Sequence, residues 1–178
     1  MTELILGESE SLDTKNDAHL VIVEQRNQLR ELQTILKDRT TTHADFMFYA
    51  DRLMRTVIEA GLNRLPFEDV TVKTPTGVEY HGITFCRGNC GISLCRSGEA
   101  MEIALRQCCR SIRIGKMLIE DGKVLYARLM PDVSRRRVLL LYPTVSNGTT
   151  TCKAIEVLKE SGVDEKKIFL ITLFISPS

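Results

Sequence analysis

Hydrophobic residues follow two different periods along this chain. The stretch LVIVEQRNQLRELQTILKD starts as a short β-branched run and continues with a helical spacing that gives one apolar face. A second helix is predicted over residues 45–60, where apolar side chains recur three and four positions apart, with Gly61 just past its end. Two amphipathic helices are therefore expected near the amino terminus.

The rest of the chain alternates strands and helices. VTVKTPTGVEYHGITF predicts a β-hairpin about a Pro-Thr-Gly turn, and RIGKMLIEDGKVLYARL predicts a second hairpin, an arm that turns at Asp121 and Gly122. Between them, the buried strand NCGISLCR leads into the helix RSGEAMEIALRQCC. The strand VLLLY, the helix CKAIEVLKESG and the strand KKIFLITLFI complete the chain.

This alternation predicts an α/β fold, with a central, mostly parallel sheet flanked by helices. Residues 138–141 and 168–175 lack polar alternation, which is typical of central strands covered on both faces. The polar, acidic residues 1–18 are expected to form a mobile tail, and residues 19–178 a single domain.

Composition narrows the classes of function. A net charge of +1 over 178 residues gives no global field that would attract nucleic acid or an anionic membrane. The chain shows no signal peptide and no membrane-spanning run of about 18 apolar residues, so a cytoplasmic location, with the nucleus as a second compartment, is expected. Without a signal peptide, the six cysteines are expected to be reduced core thiols. A metal cluster at Cys86, Cys90 and Cys95 is disfavoured, because their spacing matches no standard zinc site.

Two loops carry residues suited to phosphate. Each follows a predicted strand and precedes a helix, where backbone N–H groups attract anions. The first loop contains Arg96, Ser97 and Gly98, and the second runs through residues 146–150. Small polar residues before a helix are equally expected from helix capping alone. The occurrence of such a loop after each of two central strands favours a ligand site.

Two long stretches carry a family resemblance. GISLCRSGEAMEIALRQCCRSIRIGKMLI and VLLLYPTVSNGTTTCKAIEVLKESGVDEKKIFLITLF resemble uracil phosphoribosyltransferases, particularly those of animals, and the similarity extends from about Gln28 to the last residues. The resemblance implies a type I phosphoribosyltransferase fold and a role in pyrimidine salvage. In that reaction, uracil and 5-phosphoribosyl diphosphate (PRPP) yield UMP and diphosphate.

The resemblance also implies the site residues. Arg96, Ser97 and Gly98 would face the diphosphate, and no residue is assigned as a covalent catalyst, because the reaction depends on positioning and electrostatic support for the leaving group. The loop around the phosphoribosyl group would comprise Tyr142, Pro143, Thr144, Val145, Ser146, Asn147, Gly148, Thr149 and Thr150.

Further ligands are implied by the same resemblance. Some members are activated by GTP, and the matching arginines are Arg52, Arg113 and Arg136, which could equally be surface residues. No tightly bound cofactor is expected, although Mg²⁺ can accompany PRPP. Family members are commonly homo-oligomers.

The sequence departs from the active pattern at several positions. Active members carry an acidic residue where this chain has Tyr142, and a phenol is neutral near pH 7. Asn147 and Thr149 stand where the active pattern prefers threonine and glycine, and the arm between Ile119 and Lys123 is short. These departures predict weak or absent turnover of uracil.

The family's uracil-recognition segment has no counterpart before Ser178. The chain is therefore expected to be a fragment, a truncated isoform or an incomplete gene product, with the strand KKIFLITLFI at an exposed edge of the sheet.

The sequence allows two alternatives to an enzyme of pyrimidine salvage. One is a non-catalytic homologue that binds PRPP or GTP and pairs with a partner subunit. The other, nucleic-acid binding, is disfavoured because no aromatic residues interleave with the basic ones as base-stacking platforms. Those basic residues are Arg106, Arg110, Arg113, Lys116, Arg135, Arg136 and Arg137. No membrane partner is expected.

Overall fold

The computed structural model describes residues 3–9 and 19–176. The helices are α1 (Asn27–Lys37), α2 (His43–Leu62), α3 (Glu99–Cys108) and α4 (Thr149–Glu160). The strands are β1 (Glu3–Ser9), β2 (Leu20–Ile22), β3 (Phe67–Lys73), β4 (Glu79–Phe85), β5 (Asn89–Cys95), β6 (Arg113–Glu120), β7 (Lys123–Arg128), β8 (Arg137–Leu141), β9 (Thr144–Val145) and β10 (Ile168–Ile175).

Eight strands form one sheet, in the order β2-β1-β10-β8-β5-β6-β7, with β9 paired to β10. All neighbours are parallel except β6 and β7, which form an antiparallel hairpin. The α/β prediction, with a mostly parallel sheet and a hairpin arm, is thus confirmed. The turn of the arm has positive φ at Asp121 (49°) and Gly122 (71°), as a tight two-residue hairpin turn requires.

The sheet separates two hydrophobic cores. On one face, α1, α2 and α3 pack against alternate side chains of β8 and β10, including Leu139, Leu141 and Ile171. On the other face, Ala154 and Leu158 of α4 pack against the intervening side chains. Burial on both faces explains why β8 and β10 consist almost entirely of apolar residues.

Three predicted helix boundaries differ from the structure. Helix α2 begins at His43, because the Thr42 hydroxyl caps it by accepting a 3.2 Å hydrogen bond from the N–H of Asp45. Gly61, predicted to lie beyond the helix end, is a buried residue within α2. Helix α4 begins at Thr149, three residues before Cys152, where the predicted helix CKAIEVLKESG starts.

The amino-terminal prediction needs correction. Residues 3–9, placed in the expected mobile tail, form β1, which pairs in parallel with β10 from Glu3↔Phe169 to Ser9↔Ile175. Consequently β10 lies between β1 and β8 and is not the exposed edge that was expected. Residues 10–18 of the expected tail lie outside the described part of the chain.

The remaining features lie away from the large sheet. Strands β3 and β4 form the predicted hairpin as a separate two-stranded sheet. The thiol prediction holds for Cys90, which is buried, whereas Cys152 is exposed on α4. None of the helices in the described ranges is both long and apolar enough to span a bilayer.

Candidate functional site

The two predicted loops lie at the same edge of the sheet. Strands β5 and β8 are parallel neighbours with Ser93 opposite Leu141, so β5 extends two residues beyond β8 at the same edge of the sheet. Residues 96–98 continue from β5 into α3, and residues 142–148 continue from β8 into α4. Both segments therefore start at the carboxyl edge of the sheet, where ligands of α/β proteins bind.

Gly98 brings the two loops into direct contact. A Cβ atom at this position would lie 2.6 Å from the carbonyl oxygen of Leu141 and 2.7 Å from the backbone nitrogen of Leu94. Gly98 has φ −62°, which any residue can adopt, so the requirement for glycine is one of space. The first loop thus packs on the backbone that leads directly into the second.

A cavity of about 880 Å³ lies beside this contact. Its walls include residues 143–146 of the second loop and Ala100 near the start of α3, whereas Arg96, Ser97 and Gly98 of the first loop do not line it. This volume falls within the range of small-molecule sites. The other walls are largely apolar and include Leu36, Phe46, Met47, Met54, Leu173 and Phe174.

The second loop presents the amino terminus of α4. Gly148 has φ +74°, a conformation that favours glycine, and its carbonyl accepts a 2.7 Å hydrogen bond from the Thr151 hydroxyl. The Asn147 carboxamide accepts a 3.2 Å hydrogen bond from the N–H of Thr149. The first turn of α4 contains no acidic residue, so its positive end is not neutralised locally.

Tyr142 does not line the cavity, in contrast to the four residues that follow it. Its side chain packs on the α4 face of the sheet against the core there, and its N–H donates a 3.1 Å hydrogen bond to the carbonyl of Ile171. Alternation along the strand explains this placement, since Tyr142 continues the side of β8 occupied by Val138 and Leu140.

Arg96 points away from the second loop. The peptide bond that precedes it is cis, and its guanidinium donates a 3.1 Å hydrogen bond to the carboxylate of Glu120, at the end of β6. Because β6 and β8 lie on opposite sides of β5, this contact takes the side chain toward the arm. The guanidinium is 82% exposed, so it is free to rotate.

A polar cluster beside the first loop was missed by the sequence analysis. Lys116 of β6 pairs with Glu99 at 2.5 Å and with Glu102 at 3.2 Å, and the hydrogen bond from Lys116 lowers the pKa of Glu99. The Tyr126 hydroxyl lies 3.2 Å from the Cys95 sulfur, a contact that raises the pKa of Tyr126. The alternation of side chains along β6 and β7 could have placed Lys116 and Tyr126 on the face of the sheet that α3 covers.

The apolar cavity wall was also missed. Phe46, Met47, Phe48 and Tyr49 are consecutive in α2, and such a run is wider than one buried helical face. Phe46 and Met47 are 45% and 52% exposed and line the cavity instead of the core. The run of four consecutive apolar residues was therefore the sequence feature that could have indicated an apolar cavity wall.

The three arginines expected at a GTP site occupy two places. Arg136 binds Asp132 through two hydrogen bonds of 2.9 and 2.6 Å, and the nearby Arg113 also helps to lower the pKa of Asp132, after Arg136. Arg52 instead donates to the side chain of Gln28 and lies 5.8 Å from the centre of the Tyr49 ring. Only two of the three are thus brought together.

The site offers little to a metal ion held by protein groups. Within residues 3–9 and 19–176, no group of three or more histidine, cysteine, aspartate or glutamate residues is arranged to bind one. The carboxylates nearest the first loop, Glu99 and Glu120, are engaged by Lys116 and Arg96. The residues do not fit a protein-held Mg²⁺, and we assign that ion no step.

These features define an α/β protein with a mostly parallel sheet and a candidate ligand site at its carboxyl edge. The family model for uracil phosphoribosyltransferase matches residues 23–178. The chain is 54% identical over 164 residues to the uracil phosphoribosyltransferase homologue of Danio rerio, covering 89% of the chain and 64% of that protein. It is 52% identical over 166 residues to the homologue of Homo sapiens, covering 90% and 54%.

A relative named uracil phosphoribosyltransferase, from Dictyostelium discoideum, is 46% identical over 165 residues, covering 89% of the chain and 76% of that protein. The chain belongs to the uracil phosphoribosyltransferase family. It spans less than two thirds of the length of the animal relatives. The solved AQ2163 protein from Aquifex aeolicus shares the fold, with a TM-score of 0.67 at 15% identity over 86% of each chain.

Proposed function

We propose that this chain binds PRPP at the carboxyl edge of the sheet and converts uracil to UMP weakly or not at all. Family membership supports the ligand, since the reaction that names the family uses PRPP. The observation that carries the proposal is the packing of Gly98 on the backbone of Leu141, because it holds the first loop against the end of β8, where the second loop begins.

Each loop offers a different contact for PRPP. The amino terminus of α4, with glycine at its cap and no acid in its first turn, suits the 5′-phosphate. The Arg96 guanidinium suits the diphosphate, since it can form two parallel hydrogen bonds with phosphate oxygens. To do so it must leave Glu120, and an ion pair this exposed costs only about 0–1 kcal/mol to break.

Weak turnover follows from Tyr142. The resemblance places an acid at this position in active members, near the ribose hydroxyls. A phenol near pH 7 supplies no negative charge to an anomeric carbon that becomes positive as diphosphate leaves. The packing of the Tyr142 ring toward α4 is consistent with a core role for this side chain.

Calorimetric titration with magnesium PRPP tests the binding. The wild-type chain should bind, and Arg96→Ala should bind about 10- to 100-fold more weakly, because a charge-assisted hydrogen bond contributes about 1.5–3 kcal/mol. Arg30→Ala is the matched control, since Arg30 is exposed on α1 and does not line the cavity. Equal affinity of the wild type and Arg96→Ala would refute the assignment of Arg96.

Turnover is tested separately with radiolabelled uracil and PRPP. The expected result is no measurable UMP from this chain under conditions where PRPP binds. Clear production of UMP would show that Tyr142 does not limit the reaction.

A further inference from the structure

The first turn of α3 differs in charge from the first turn of α4. It contains two acidic residues, Glu99 and Glu102, whereas the first turn of α4 contains none. Acids at this position stabilise a helix by interacting with its positive end, but they also repel an anion that approaches it. Glu99 directly follows Gly98, so a carboxylate lies one residue from the first loop. The first loop therefore needs a nearby cation if it is to hold a diphosphate.

The backbone of the first loop supplies little of that positive charge. The N–H of Gly98 donates a 2.8 Å hydrogen bond to the carbonyl of Leu94, and the N–H of Glu99 donates one of 3.1 Å to the carbonyl of Arg96. Both N–H groups are thus engaged within the chain. Attraction of an anion to this loop consequently depends on the charges of the surrounding side chains.

Lys116 of β6 binds both acids of α3. Its Nζ atom lies 2.5 Å from a carboxylate oxygen of Glu99 and 3.2 Å from one of Glu102. The Lys116 side chain is 38% exposed and that of Glu102 only 14%, so solvent screens this contact less than an ion pair at the open surface. The hydrogen bond from Lys116 lowers the pKa of Glu99, and the hydrogen bonds to Glu99 and Glu102 raise the pKa of Lys116. Lys116 and Glu99 are therefore charged at neutral pH.

Three carboxylates surround the first loop, because Glu120 approaches it from the end of β6 in addition to the two acids of α3. When Arg96 turns from Glu120 to a diphosphate, Lys116 is still bound to the acids of α3. Arg128 lies opposite Lys116 on β7, but within the described chain it forms no ion pair with those acids. Loss of Lys116 would therefore leave the acids of α3 uncompensated beside the ligand.

We propose that Lys116 is a positioning residue for the diphosphate of PRPP, because it holds the acids of α3 and offsets their charge beside the first loop. The inference rests on the proposed function and adds the residue that makes this loop acceptable to a multiply charged anion. Lys116 acts through Glu99 and Glu102 and not by touching the ligand, since both carboxylates occupy its ammonium group. A ligand without a diphosphate should therefore be insensitive to the loss of Lys116.

Calorimetric titration with magnesium PRPP and with ribose 5-phosphate, which lacks the diphosphate, tests the inference. At about 50 mM KCl, Lys116→Met should bind PRPP about 3- to 10-fold more weakly than the wild type, because it removes a positive charge about 10 Å from about three negative charges. Its affinity for ribose 5-phosphate should be unchanged. The difference for PRPP should shrink at about 500 mM KCl, since salt screens exposed charges. Glu99→Gln, which leaves Lys116 paired with Glu102, should bind PRPP about 3- to 10-fold more tightly than the wild type.

Charge-matched variants separate this role from direct contact and from packing. Lys116→Arg should keep the wild-type affinity, and the double variant Lys116→Met and Glu99→Gln, which has the net charge of the wild type, should recover it. Lys159→Met breaks a 2.8 Å ion pair with Glu165 in the last turn of α4 and should have no effect.

The inference alone is overturned if Lys116→Met binds PRPP like the wild type, if it loses affinity for ribose 5-phosphate equally, or if the double variant stays as weak as Lys116→Met. If thermal unfolding shows that Lys116→Met does not fold, Glu99→Gln decides the question, and unchanged affinity for PRPP in that variant overturns the inference. A wild type that binds no PRPP would overturn the proposed function as well.

Discussion

The contact between Gly98 and Leu141 predicts a large effect from a single methyl group. In Gly98→Ala, the added Cβ would lie 2.6 Å from the Leu141 carbonyl oxygen and 2.7 Å from both the nitrogen and the oxygen of Leu94. All three atoms belong to the backbone of central strands, so no side chain can rotate to make room. The loop itself must move outward.

The cost follows from overpacking alone, because φ at Gly98 is −62° and suits alanine. Insertion of a methyl group into a packed region costs about 1–3 kcal/mol. For a chain of this size, 1 kcal/mol corresponds to a shift in the melting temperature of about 2–4 °C. Gly98→Ala should therefore lower the melting temperature by about 2–12 °C and weaken PRPP binding, because the two loops separate.

Thermal unfolding followed by circular dichroism measures the effect, with Gly82→Ala as the control. The Cβ at Gly82 also meets an atom within 2.8 Å, but that atom belongs to the ring of Tyr80, whose side chain is 61% exposed and can move. The control should change stability by less than about 0.5 kcal/mol. If Gly98→Ala unfolds at the same temperature as the wild type, the loops do not meet as described.

Two further predictions concern titration and reactivity. Arg136 lowers the pKa of Asp132, so this ion pair stabilises the fold above about pH 3.9, the ordinary aspartate pKa, and the stabilisation is lost as the pH falls through the lowered value. Urea unfolding should show that Asp132→Asn is less stable than the wild type at pH 7, and the difference in the free energy of unfolding should shrink toward pH 3. A difference that does not depend on pH would contradict this prediction. Burial raises the pKa of Cys90 to about 12, so iodoacetamide should label the exposed Cys152 and spare Cys90 until the chain unfolds, as followed by mass spectrometry; equal labelling would refute the burial.

The fold was predictable wherever local pattern and tertiary environment agree. The apolar runs of β8 and β10 indicated strands covered on both faces, and they are buried as expected. Asp121 and Gly122 indicated the turn of the arm. The positions of the two loops before α3 and α4 were predictable too, because each loop combines a glycine with the start of a helix.

The remaining features depend on distant parts of the chain. The segment that forms β1 lies in the polar, acidic amino-terminal region, so local sequence did not predict a strand there. Its parallel pairing with β10 joins residues that are far apart in sequence. The sequence assigned Arg96 to the diphosphate. It could not predict the hydrogen bond between Arg96 and Glu120, because that contact depends on β6 lying beside β5.

Hydrogen exchange measured with and without PRPP tests the central claim most directly. The account predicts that PRPP slows amide exchange in both loops, residues 96–100 and 142–150, while exchange in residues 86–89 and 131–137, at the opposite edge of the sheet, is unchanged. Protection confined to residues 86–89 and 131–137, or PRPP binding that leaves either loop unprotected, would contradict a shared site at the carboxyl edge of the sheet.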